Sequence, residues 1–157
     1  MKPARGFTLV ELMITVAIVS VLVSMAVPVR ETMVKREKER ALRSALREIR
    51  GALDAYKRAV DEGKVKVDLG DSGYPKSLEV LVNGIENISA PDHRKIYFLR
   101  RMPSDPMSAD ATLAASRTWG KRSYASSPEE PREEGDVYDV YSLSAGRGLN
   151  GVAYRDW

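Results

Sequence analysis

The sequence predicts an α+β fold: one long N-terminal α-helix, its first half transmembrane, packed by its second half on a small antiparallel β-sheet. Three observations predict it. Phe7–Val29 is almost wholly apolar. Leu42–Val60 carries an apolar stripe at helical spacing. Near the C-terminus, Trp119–Ser126 and Val137–Leu143 are rich in aromatic and β-branched residues, as strands are.

The chain has 157 residues and no cysteine, so one globular domain must stand on packing, without disulfides. The hydrophobic content of 43% is inflated by the N-terminal run. At about 1.5 Å per residue, that run is long enough to cross a bilayer core of about 30 Å. Ahead of it stands the polar leader Met1–Gly6, whose only charges are Lys2 and Arg5. Both are positive, which holds the leader in the cytoplasm and sends the rest across. Inside the run lies Glu11. A carboxylate in lipid is costly, and where one occurs it has a partner and a function.

The contiguous Gly6-Phe7-Thr8-Leu9-Val10-Glu11 resembles the cleavage signal of type IV prepilins and pseudopilins. The resemblance implies a type IV pilin-like fold. It also implies that a membrane prepilin peptidase cuts between Gly6 and Phe7 and N-methylates Phe7. Glu11 would then neutralise the terminal amine of an adjacent subunit during assembly. Domains follow: leader 1–6, transmembrane and polymerisation helix 7–30, periplasmic domain 31–157. Two other readings of the run are an ordinary signal anchor and a secretory signal cut after Ser24-Met25-Ala26. The mature first residue separates them: Phe7, Met1 or Val27.

Pro28 removes a backbone bond and is expected to kink or locally melt the helix. Beyond it, Glu31–Lys35 and Glu39–Arg43 are spaced as i,i+4 ion pairs. The stripe Leu42, Ala45, Leu46, Ile49, Ala52, Leu53, Tyr56 and Val60 faces the domain. Arg43, Arg47, Arg50 and Arg58 face away, and the helix ends near Gly63. Gly51 marks a weak point, since glycine costs about 1 kcal/mol in a helix interior. Lys35–Arg40 (KREKER) is a solvated surface, a headgroup contact, or the partner of a neighbour's acidic 126–139 loop.

Gly63, Gly70, Gly73 and Pro75 punctuate a loop, with a brief strand at Lys64–Asp68. A short helix over Ser77–Val82 takes Ser77 as its N-cap. Lys95–Arg100 reads as a buried run. His93, the single histidine, sits in a turn and has no second ligand for zinc. The acidic Ser127–Asp136 loop joins the two C-terminal strands. Trp157 reads as a packing plug.

Several tracts resemble major pseudopilins of type II secretion: Gly73-Tyr74-Pro75 with Leu78 and Leu81-Val82, Met102-Pro103-Ser104-Asp105-Pro106, and Asp139-Val140-Tyr141-Ser142-Leu143. The second departs from the family pattern, because Ser108–Ser116 intervenes before Trp119-Gly120. The resemblance also raises calcium in the C-terminal loop, with Leu143, Asn150 and Asp156 as candidates. The family's ADG-like position reads Ala145-Gly146-Arg147 here, so the expected aspartate is missing and a cation has arrived; the donor set is poor and no cofactor is otherwise expected.

No catalytic motif appears: no GxSxG, HExxH or Walker A loop. The expectation is a non-enzymatic subunit of a periplasmic pseudopilus, anchored once in the bacterial inner membrane, that polymerises to drive protein export across the outer membrane. Partners implied are copies of itself in a filament, minor pseudopilins, the prepilin peptidase and an inner-membrane assembly platform. The alternatives are a type IV pilin for adhesion or motility and a DNA-uptake pseudopilin. Losing the leader removes two positive charges from a net of +3, which leaves little to attract nucleic acid.

Overall fold

A computed structural model describes residues 7–110 and 112–157, with the backbone alone at residues 25–29. Helix α1 spans Leu9–Asp61 and α2 spans Glu79–Asn83. Two antiparallel pairs follow: β1 (Ile85–Glu86) with β2 (Lys95–Ile96), and β3 (Trp119–Arg122) with β4 (Asp139–Ser142). Single 3-10 turns form at Ala115–Arg117 and Tyr154–Asp156. The fold is α+β as expected, although the sheet is two separate two-stranded ribbons. Two compact units divide between Glu37 and Lys38.

In the first unit, the described side chains from Phe7 to Ser24 are all exposed, apolar on every face. A helix apolar all round belongs in lipid or under other helices. Among the described residues no helix is long and apolar enough to cross a membrane. Their side chains in this run stop at Ser24, short of the roughly 20 residues a bilayer asks for. The backbone stays helical through Pro28, so α1 does not melt there.

In the second unit, Leu42, Leu46, Ile49, Leu53 and Tyr56 of α1 are buried with Leu78, Leu81, Leu99, Trp119, Val137 and Val140. The stripe read from the sequence is therefore the core, with Ala59 added and Val60 only partly covered. The helix stops as expected, and Gly63 closes it at φ +68°, where a side chain would be strained.

Several local expectations fail. Glu31 and Lys35 form no ion pair among the described residues, and Glu39 turns away from Arg43 into the core. Arg50 does not face away: its guanidinium bonds Asp139 at 2.8 Å and the carbonyls of Val140 and Trp157. Lys64–Asp68 is not a strand; Val65 simply anchors the loop in the core. Ser77 does not cap α2, whose N-cap is Leu78 with no side-chain bond. Lys95–Arg100 is only partly buried, with Tyr97 exposed. His93 is exposed at φ 49°, its Nδ1 2.9 Å from Glu86.

The inserted segment is looped out, and its two ends are stitched together. Trp119 Nε1 donates to the Pro103 carbonyl at 2.8 Å, and the Asp105 amide donates to Thr118 Oγ1 at 2.9 Å. Asp105, 4% exposed, also accepts from Ser142 Oγ on β4 at 2.5 Å. The Pro103–Pro106 turn and the start of β3 thus meet despite the residues between them.

Candidate assembly sites

The first candidate site is the start of α1. Gly6 lies outside the described residues. Phe7 is 84% exposed just ahead of the helix. The Thr8 amide donates to Glu11 Oε2 at 3.4 Å, and the Glu11 amide donates to Thr8 Oγ1 at 3.2 Å. This reciprocal pair is a capping box, which satisfies two of the helix's free amides. Its signal, Thr-x-x-Glu, stands in plain sight in the sequence and was read there only for its charge. Glu11 therefore has a local role beside any role toward a neighbour. Its carboxylate is exposed in the single chain, open to a cation from outside.

The second candidate is the C-terminal loop of the second unit. Of its three sequence-predicted calcium candidates, Asn150 and Asp156 line one cavity and Leu143 is not part of that lining. Leu143 is 59% exposed. Asn150 Oδ1 accepts the Val152 amide at 3.1 Å, and Asp156 lies 3.7 Å from Arg155. Asn150 and Asp156 share a cavity of about 350 Å³ with Arg43, Arg47 and Arg50. Three guanidiniums there repel a divalent cation, and calcium asks for six to eight oxygens. Among the described residues no cluster of three acidic or histidine groups could hold a metal.

Other contacts close that loop. Arg147 donates to the Gly151 carbonyl at 3.0 Å, and the Gly148 amide donates to the Val152 carbonyl at 2.8 Å. The loop is then tied to α1. Glu39, 7% exposed, accepts from the Leu149 amide at 2.8 Å and from the Tyr154 hydroxyl at 3.1 Å. Burial, and next the Glu39 carboxylate, raise the Tyr154 hydroxyl above its ordinary pKa. Trp157 stacks edge-on against Tyr154, with Arg43 4.3 Å above its ring. Its reading as a plug holds. Sequence reasoning missed Glu39, because its neighbours Lys38 and Arg40 mark the stretch as surface.

A helix with every described N-terminal apolar side chain exposed, a capped glutamate in its first turn and a small α+β domain on its second half define a pilin-like subunit. Residues 1–27 match the prokaryotic N-terminal methylation motif. The type II secretion system core protein G of Klebsiella pneumoniae is 30% identical over 126 residues, covering 77% of this chain and 81% of that protein. No solved structure matches the chain. The chain belongs to the family of type II secretion core protein G, the G-type pseudopilins.

Proposed function

We propose that this chain is a structural subunit of a periplasmic pseudopilus, which polymerises to drive export of proteins across the outer membrane. The observation that carries the reading is the exposed apolar face of α1 from Phe7 to Val23, which nothing in the chain's own fold covers. At about 25 cal/mol per Å², so much apolar surface demands lipid before assembly and other helices after it. In this reading residues 7–30 sit in the inner membrane, and residues 31–157 stand in the periplasm. The prepilin peptidase cuts after Gly6 and methylates Phe7. The chain works by assembly with its own copies, minor pseudopilins and an inner-membrane platform, and not as an enzyme.

The C-terminal loop is held without calcium. Arg147 on the Gly151 carbonyl closes it, and Glu39 anchors it to the helix.

The reading is tested in the parent organism by deletion, by electron microscopy of overproduced protein and by mass of the mature N-terminal peptide. Expected are loss of export on deletion, short filaments, and a peptide beginning at a methylated Phe7. An uncut leader, or deletion that removes surface pili while export continues, would overturn it.

A further inference from the structure

The second unit carries two charged surfaces, each with charge left unpaired in the fold. One lies on α1. Arg40 and Arg47 are exposed, two turns apart, with no acidic partner among the described residues. Of the nearby acids, Glu39 is buried under the C-terminal loop, Asp156 shares a cavity with Arg47 but pairs with Arg155, and the exposed Glu37 and Glu48 form no ion pair with either arginine.

The other surface is a cavity of about 420 Å³ walled by Tyr74 and Tyr124. Those two rings stack with centroids 6.0 Å apart, and Tyr138 meets each edge-on. Asp71, Glu134 and Asp136 line the same cavity, against Lys76 alone. Lys76 is already held by Asp71 at 3.4 Å and Asp68 at 3.5 Å. Asp136 accepts the Tyr124 amide at 3.0 Å and the Ser72 hydroxyl. The Glu134 carboxylate has no partner among the described residues. Ser123 lines the cavity too, 2% exposed, with its hydroxyl unpartnered.

Tyrosine faces and a spare carboxylate, that of Glu134, suit a cation, and a guanidinium best, because it can stack on a ring while pairing with an acid. The chain makes such arginine–ring contacts within itself, Arg122 over Tyr138 at 4.7 Å and Arg43 over Trp157 at 4.3 Å. The cavity lies too far along α1 for Arg40 to reach it in the same chain. Gly73, beside Tyr74, packs against Lys57, and Lys57 lies about 25 Å along α1 from Arg40 at about 1.5 Å per residue.

We propose that this tyrosine-walled acidic cavity docks the Arg40–Arg47 face of α1 from a second copy of the chain. The inference rests on the filament reading and adds an axial contact to it. The two surfaces are different, one reached from the first half of the packed part of α1 and the other beside its last turns. A contact between them is head-to-tail, so it propagates into an open polymer and does not close into a dimer.

The chain has no cysteine, so cross-links can be placed cleanly. The experiment uses the full chain in cells that carry its secretion machinery, with a short bis-maleimide linker. Arg40→Cys with Glu134→Cys in one chain is expected to give a ladder of dimer, trimer and longer products. The two single variants expressed together should stop at dimers. Arg40→Glu with Arg47→Glu should cut filament number by about tenfold or more. Adding Glu134→Lys should recover part of the loss. Filaments that form normally with no ladder, or a link to a different protein, would overturn the proposal. The parent chain is imaged first: if it makes no filaments, the filament reading itself fails, and this contact with it.

Discussion

The Tyr154 hydroxyl donates to Glu39 Oε1 over 3.1 Å, joining a helix residue to one 115 positions later. The same oxygen takes the Leu149 amide, so one buried carboxylate fixes the whole C-terminal loop. Hydrogen bonds to a charged group contribute about 1.5–3 kcal/mol. Tyr154→Phe is expected to destabilise by about that amount, measured by thermal melting in detergent. Glu39→Leu should cost more, because it leaves a buried amide and a hydroxyl without an acceptor. Glu39→Gln keeps an acceptor and should cost least.

Alkali should unfold the protein through its tyrosines. Burial is the main cause raising the Tyr56, Tyr74 and Tyr154 hydroxyls above their ordinary value near 10. A group whose folded pKa is raised holds its proton longer in the folded state. Its stabilising effect is complete below pH 10 and is lost as pH climbs through the folded value. Urea unfolding midpoints should be flat from about pH 8 to 9.5 and then fall. The fall should be shallower in Tyr154→Phe.

What the sequence made legible is what depends on near neighbours. The stripe from Leu42 to Tyr56 became the core, and the two C-terminal strands pair, though shorter than expected at Trp119–Arg122 and Asp139–Ser142. Helical spacing and β-branched content are local signals, so a window of sequence carries them. Glu39 and Arg50 were misread because their partners lie 89 to 115 residues away. Both sit among charges that look solvated, and their partners come from β4 and the returning C-terminal loop. Ser77 had the right chemistry for a cap, but α2 begins two residues later. The Thr8–Glu11 box was fully local and could have been read from Thr-x-x-Glu.

Calcium should make no difference to the folded chain. The loop that could have received it is closed by Arg147 on the Gly151 carbonyl, and the adjoining cavity is ringed by arginines. Melting temperature is expected to be the same with millimolar calcium, with a chelator, and with neither. Arg147→Ala should lower unfolding free energy by an amount near one hydrogen bond, about 1 kcal/mol, and the melting temperature with it. A rise on adding calcium would show that oxygens now turned elsewhere can regroup around the ion.

Gly120 on β3 faces Tyr141 on β4 directly across the ribbon. A β-carbon at Gly120 would run into the Tyr141 ring. Tyrosine laid over a cross-strand glycine covers backbone that the glycine leaves bare. Gly120→Ala is expected to cost about 1–3 kcal/mol, as overpacking does. Tyr141→Ala made in the same chain should remove much of that penalty, and a double-mutant cycle on unfolding free energies reads the coupling.

The role of Glu11 can be divided between its two candidate partners by one substitution. In the single chain its carboxylate accepts the Thr8 amide, and glutamine at this position of a capping box does that equally well. In a filament the same carboxylate is proposed to neutralise the amine of a neighbour's Phe7, and that requires its charge. Glu11→Gln keeps the cap and removes the charge. If assembly uses the charge, Glu11→Gln should fail to form filaments as completely as Glu11→Ala. If the glutamate serves only to start the helix, Glu11→Gln should assemble like the parent, and Thr8→Val should be as damaging as Glu11→Ala. Counting filaments by microscopy in the parent and the three variants, with export of a secreted enzyme as the second readout, separates the two. The expected result is failure of Glu11→Gln. An amine and a carboxylate inside lipid each carry a large desolvation cost, and pairing offsets both at once.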